Sequence, residues 1–508
     1  MSRATLFFFV AVLLPGVLWA QPSSVSFDAA TAGSVWGAAL SYIAPRSLQP
    51  LTIPQMAIWG LNGLAALDPN LDTTLQNGQI RLYGPNQMLI AIPAPAPGDA
   101  AAWGQAAARV AAAAYAASPA LQQAGTQELI SSFFDELFNH FDPYSRYEPP
   151  LQAAQDQLMI TGLAGTGLTF GVQGGHVVIG TIAADSPAEN AGLTVGTLVL
   201  QVNGHSVSPR QVSRLNDEMN GLLGTKATLR LQDPSDPVPA PQDITLTRAF
   251  IPPQTVFQDP SPAPGVLALK ITSFNPGTSD QFSAAVAAAM AAQPPPSGLV
   301  LDLRGNRGGI LRQAVLVADS LLPSGSIVFA QGRDPDADQS FHAEGADLTS
   351  GTRIVVLVDG QTASAAEILS AALADNGRAV VVGSETLGKG LVQTVTSLPD
   401  GGELFVTWSR VLAPRGWPMQ TLGVMPQVCT SLGDEALQAQ LSALQSGHSL
   451  MTPALTKARA MRATASVDAI LAVRDDCPAD IGGDEDFTAA AFLLNNPSAY
   501  QAALLERR

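Results

Sequence analysis

The chain runs to 508 residues, long enough for two or three domains, with 46% hydrophobic and only 13% charged residues. Its formal net charge of −16 argues against nucleic acid or an anionic membrane surface as a partner. The five histidines are scattered and form no H-E-x-x-H or similar cluster, which argues against a metalloprotease and calls for no metal.

Residues 1–20 read as a cleaved signal peptide: Arg3 supplies the positive start, Leu6 to Leu14 the apolar stretch, and Leu18-Trp19-Ala20 the cleavage end. The expected location is outside the cytoplasm, periplasmic or secreted. No later run of ~18 apolar residues follows. Cys429 and Cys477 fit an oxidising compartment, either bridged or as two buried thiols.

Residues 21–150 are expected to be a helical N-terminal region. Met56 to Leu67 and Leu129 to Phe141 are apolar helical patterns, each stopped by Asp-Pro, because proline disfavours helix at the residue before it. Between them lie the stiff Pro93-Ala-Pro-Ala-Pro-Gly and an alanine-rich helix over Ala100 to Ala117. The second stop continues as Asp142-Pro-Tyr-Ser-Arg-Tyr.

Residues 151–250 form the next predicted unit. Gly165-Thr166-Gly167-Leu168 opens a loop whose backbone N–H groups can cradle an anion. The strand His176-Val-Val-Ile follows, then a capped short helix from Ser186 to Gly192, then the strand Val199 to Val202 running into Asn203-Gly204. This order resembles a PDZ domain, in which the glycine loop holds a peptide's terminal carboxylate and the peptide adds as an extra strand. Gly196-Thr197 stands where such domains usually carry Gly-Asp. Proline-rich Asp233 to Pro253 marks the exit.

From 251 to 432, strands alternate with helices, which predicts an α/β core. Gly265 to Ile271 and Gly298 to Arg304 read as strands, and Gln281 to Ala292 and Leu311 to Leu321 as helices. Thr352 to Asp359 is a buried strand, Gly360 ends it, and Ser364 opens a helix. A hydroxyl there sits at the positive end of a helix beside unpaired N–H groups. Lys389 follows between two glycines, and Gln393 four residues later. The chain has four lysines against many arginines, and only a lysine can lose its proton to act as a base. Taken singly, Ser364 is an N-cap and Gly-Lys-Gly a surface turn; no phosphate loop is present, since Gly390 follows Lys389.

Together these residues carry a resemblance. Thr362-Ala-Ser-Ala-Ala-Glu followed by Gly388-Lys-Gly-Leu-Val-Gln is similar to the C-terminal processing peptidases, or tail-specific proteases. Asp302-Leu-Arg-Gly-Asn-Arg-Gly-Gly and Asp142-Pro-Tyr-Ser-Arg-Tyr match two further patterns of that family, while Gln427 stands where it has Asp. The resemblance implies a ββα core like those of crotonase and Clp protease, with an inserted PDZ domain. It implies Ser364 as nucleophile, Lys389 as base and Gln393 orienting the amine. The oxyanion would rest on the N–H of Ala365 and one from Gly308 or Gly309. No cofactor is implied. The implied substrates are exported proteins or peptides with apolar C-termini, gripped at Gly165, Thr166, Gly167 and Leu168; an adaptor protein and a homo-oligomer stay open as partners. The alternative is a non-catalytic PDZ scaffold on a protease-like fold. Residues 433–508 read as a helical tail, docked on the N-terminal helices or used for self-association.

Overall fold

The computed structural model describes residues 26–161, 164–183, 186–233, 240–345 and 347–506. The leader at 1–20 therefore lies outside the described residues, as does part of the proline-rich exit. The chain divides into two units, Met1–Ala38 with Ile53–Leu137, and Ala39–Thr52 with Phe138–Arg508.

In the first unit, the helices Ile53–Asn62, Ala100–Ala117 and most of Pro119–Phe138 accompany a core in which Trp36 stacks on Phe133 at 4.6 Å. Asp99 caps Ala100–Ala117 by accepting from the Ala102 N–H. The reading of this region as helical is incomplete. It also holds a three-stranded antiparallel sheet, Asp72–Gln76, Gln79–Tyr83 and Met88–Pro93. Asn77 and Gly78, both at positive φ, turn the first two strands into a hairpin.

The region read as PDZ-like is a sheet ordered Gln242–Thr247, Lys226–Gln232, Leu198–Val202, His176–Ile182, Leu168–Gln173. The helix Val212–Met219 packs beside its last strand. Leu168, Phe170, Ile179, Leu215 and Met219 share its core.

The α/β core is a six-stranded sheet: Val256–Gln258, Val266–Ile271, Gly298–Asp302, Arg353–Val358, Ala379–Gly383, Val428–Cys429. All pairs but the first are parallel. Alternation along each strand sends side chains to two layers. Ile354, Val356 and Val358 join the helices Leu311–Asp319 and Ala365–Asp375, while Val355 and Leu357 meet the C-terminal helices Asp434–Gln445, Asp484–Asn495 and Pro497–Ala503. A sheet buried on both faces explains why these strands are continuous apolar runs. The tail thus docks on the core sheet, where the sequence reading had offered the N-terminal helices or self-association. The Tyr500 hydroxyl fixes it, accepting from the Ile354 N–H at 3.0 Å and donating to Ile354 O at 2.9 Å. A disulfide joins Cys429 on the last strand to Cys477.

A second sheet, ordered Gln339–His342, Ser326–Gly332, Glu403–Leu412, Leu391–Ser397, carries the chain after Lys389. Arg146–Glu148 pairs antiparallel with Glu403–Phe405, which brings the Asp142 to Tyr147 motif onto this sheet.

Candidate active site

Strand Arg353–Val358 ends at Asp359, whose carboxylate accepts from the N–H groups of Gln361 and Thr362 at 3.0 and 2.9 Å and of Gly305 at 3.0 Å. These bonds fold the turn and bind it to the glycine loop after Asp302. Ser364 emerges at φ 57°, ψ −118°, a conformation that side chains resist by about 1–3 kcal/mol. Its hydroxyl makes no capping bond to the helix Ala365–Asp375 that it opens, so the ordinary N-cap role is vacant. Ala365 is the first helical residue, with an N–H that has no intrahelical acceptor.

The partner that joins the two halves of the site is Glu367, which sequence reasoning missed. Its Oε2 accepts from the Ser364 N–H at 2.7 Å and the Lys389 N–H at 2.9 Å. Its Oε1 accepts from the Gly388 N–H at 2.8 Å and from the Thr386 hydroxyl. The backbones of Ser364 and Lys389 therefore lie within two hydrogen-bond lengths of each other. Glu367 is fully buried; burial pushes its carboxyl up, and these four donors pull it back.

Lys389 does not sit in a surface turn. A Cβ at Gly388 would lie 2.8 Å from the Thr421 carbonyl carbon, and one at Gly390 2.2 Å from the Gln420 nitrogen, so both flanking glycines accommodate a passing chain. The Lys389 ammonium nitrogen lies 4.9 Å from the centre of the Tyr144 ring. Burial lowers the Lys389 pKa and the nearby Arg146 charge lowers it further, against the opposing pull of Glu367. Gln393 donates from Nε2 to Thr407 Oγ1 at 3.1 Å and to Leu391 O at 3.4 Å.

In the glycine loop, Gly308 approaches Ser364 most closely: a Cβ there would lie 2.8 Å from Ser364 Cβ and 3.0 Å from the Ala365 nitrogen. Its N–H donates to Asn306 Oδ1 at 2.8 Å. Gly309 packs on the Phe274 backbone instead. Asp302 and Arg304 pair at 2.9 Å and hold the base of the loop. Four residues before Lys389 in the chain is Glu385, wholly buried, with no hydrogen bond to either oxygen among the described residues; burial pushes its carboxyl up to about 8.

In the PDZ-like region, Ala164–Gly165 is a short strand paired on both sides, with Asn220–Gly221 and Ala249–Phe250. The Thr166 N–H donates to Met219 O at 3.2 Å. Gly167, at φ 81°, lies so near Ser186 that a Cβ would stand 2.1 Å from Ser186 Cβ. Leu168 starts the strand that ends the sheet order. Two residues on, the Phe170 N–H donates to Asn216 Oδ1 at 2.6 Å, and Asn216 Nδ2 reaches Phe170 O at 3.4 Å.

Comparison with known proteins identifies the family. Residues 265–430 match the model of peptidase family S41, and 178–233 that of the PDZ domain. The chain is 31% identical to a carboxy-terminal-processing protease of Bartonella bacilliformis, over 59% of this chain and 69% of that protein. It is 32% identical to a carboxyl-terminal-processing protease of Synechocystis sp., over 63% of this chain and 78% of that one. Among solved structures, the photosystem II D1 C-terminal processing protease is 26% identical, covering 76% of this chain and 97% of its own, with a TM-score of 0.37. The chain belongs to the carboxy-terminal processing proteases, serine peptidases that carry a PDZ domain.

Proposed function

We propose that Ser364 attacks a peptide carbonyl while neutral Lys389 takes the hydroxyl proton and passes it to the leaving amine. Gln393 orients the Lys389 amine. Water then clears the acyl-enzyme. The oxyanion rests on the Ala365 N–H and on that of Gly308, which exchanges Asn306 Oδ1 for the substrate oxygen; losing one such donor costs about 10²–10³-fold in rate. The observation that carries this reading is the single Glu367 oxygen accepting from both Ser364 and Lys389. A vacant capping role at Ser364 and a depressed Lys389 support it.

The substrates are exported proteins or peptides with apolar C-termini, captured along the strand that starts at Leu168, with Gly165, Thr166 and Gly167 shaping the carboxylate end. The working boundaries are a leader at 1–20, an N-terminal region to 150, the PDZ domain to 250, the peptidase core to 432 and the helical tail to 508. Among the described residues no helix is long and apolar enough to cross a membrane. Export through the leader places the enzyme with such substrates.

The test is cleavage of an unstructured protein with an apolar tail. Ser364→Ala and Lys389→Ala are expected to abolish it while leaving peptide binding in place. Undiminished cleavage by Ser364→Ala would return the chain to the role of a peptide-binding scaffold.

A further inference from the structure

Gln393 can orient an amine usefully in only one of its two amide orientations. With the carbonyl oxygen toward Lys389, it accepts an N–H of the amine and leaves the nitrogen lone pair for the Ser364 proton. With the NH₂ end toward Lys389, it donates into that lone pair and blocks it. The two orientations have nearly the same shape, so packing alone selects neither. Something must read donor against acceptor.

Thr407 does this. It faces Gln393 directly across the hairpin formed by Leu391–Ser397 and Glu403–Leu412. Its hydroxyl donates to Asp142 Oδ1 at 2.7 Å. A hydroxyl has one proton, so Thr407 Oγ1 is left able only to accept from Gln393. The Leu391 carbonyl, also near Gln393 Nε2, is an acceptor too.

Asp142 in turn acts only as an acceptor. Its Oδ1 takes the N–H groups of Tyr144 and Ser145 at 2.9 and 3.0 Å, and its Oδ2 the Ser145 hydroxyl at 2.7 Å. Every partner is a donor, so the carboxylate cannot give Thr407 a proton. The Ser145 hydroxyl, its proton committed to Asp142, accepts the Thr407 backbone N–H at 3.0 Å. The motif Asp142-Pro-Tyr-Ser thus clamps Thr407 by both backbone and side chain. Its third member, Tyr144, supplies the ring beside the Lys389 ammonium.

We infer that Asp142 and Thr407 are positioning residues that set the polarity of the Gln393 amide, so that its oxygen faces Lys389. This rests on the Ser364/Lys389 reading above. The chain of proton commitments runs Gln393 to Thr407 to Asp142, and a segment from before the PDZ domain thereby sets the geometry of a base that lies after it.

The experiment compares kcat, KM and the pH profile of purified wild type, Thr407→Val, Thr407→Ser, Asp142→Ala and Lys389→Ala on one fluorogenic peptide. Thermal melts of each run in parallel. Thr407→Val keeps the shape and removes the acceptor. It is expected to lose about ten- to a hundredfold in kcat, part of the ~10²–10⁴-fold a general base supplies, with KM little changed. The acid limb should move to lower pH, because an amide N–H facing the amine favours its neutral form. Thr407→Ser recovers most of the turnover and the original limb. Asp142→Ala, which removes the acceptor that commits the Thr407 proton, frees that hydroxyl to donate to the Gln393 oxygen and shifts kcat and limb as Thr407→Val does. A folded Thr407→Val with wild-type kcat and limb, beside an inactive Lys389→Ala, overturns the relay alone. Turnover by Lys389→Ala overturns the base and the relay with it. If Thr407→Val does not fold, Asp142→Ala decides: an unmoved limb rejects the relay.

Discussion

A lysine ordinarily titrates near pH ~10.4, so its use as a base requires that the charged form be made costly. In this site burial does most of it and the Arg146 charge adds to it. Arg146→Gln should therefore raise the Lys389 pKa and move the acid limb of kcat/KM to higher pH, while Arg146→Lys should not. Rate against pH on one substrate measures this. Glu385 makes a separate demand. Its carboxyl, pushed up to about 8 by burial, holds a proton in the folded state that the unfolded chain has already released. Stability from this group is present below the unfolded pKa of 4.5 and lost as pH rises towards 8. The loss is about 3 kcal/mol by pH 7. Glu385→Gln should melt close to wild type at pH 5 and well above it at pH 8. Ser364 and Lys389 were legible because their chemistry is rare in such settings. Glu367 showed only as the end of a local Ser-x-x-Glu capping pattern, because its bonds to Thr386, Gly388 and Lys389, like those of Thr407 to Asp142 and Gln393, are made by the fold.

At the level of elements, apolar runs and turn residues disclosed most of the core. The runs from Thr352 to Asp359 and from Ala379 to Gly383 became buried strands, because a sheet covered on both faces needs no polar alternation. The sheet at 72–93 was passed over although Asn77-Gly78 is a strong hairpin signal; strands of five or six residues beside long alanine-rich helices leave little periodicity to see. The sequence reads as a loop from Gly165 and shows neither the edge strand Leu168–Gln173 nor that Asn216 would occupy its Phe170. That amide offers an acceptor and a donor where an incoming peptide strand would offer its own. Asn216→Ala should tighten binding of a peptide with an apolar C-terminus to the Ser364→Ala enzyme, by about three- to tenfold for the one or two hydrogen bonds no longer displaced. Fluorescence anisotropy reads this; unchanged or weaker binding would mean the contact does not compete.

For the whole molecule, the tail is the part least readable in advance. Its amphipathic helices announce a buried face but not what covers it, and the structure places that face on the core sheet. The Cys429–Cys477 bridge closes a loop of 48 residues between that sheet and the tail. Replacing both cysteines by alanine should cost about 2–4 kcal/mol and lower the melting temperature, with the catalytic pH profile unchanged. The claim on which the rest depends is that the Ser364 hydroxyl is activated by a deprotonated Lys389. Its most direct measurement is the rate of covalent acylation by a serine-directed reagent, located by peptide mass spectrometry and followed from pH 5 to 10. The expected result is an adduct on Ser364 whose rate rises with pH through a limb below the ordinary lysine value, and none in Lys389→Ala. An adduct on another residue, or equal labelling of Lys389→Ala at every pH, would contradict it.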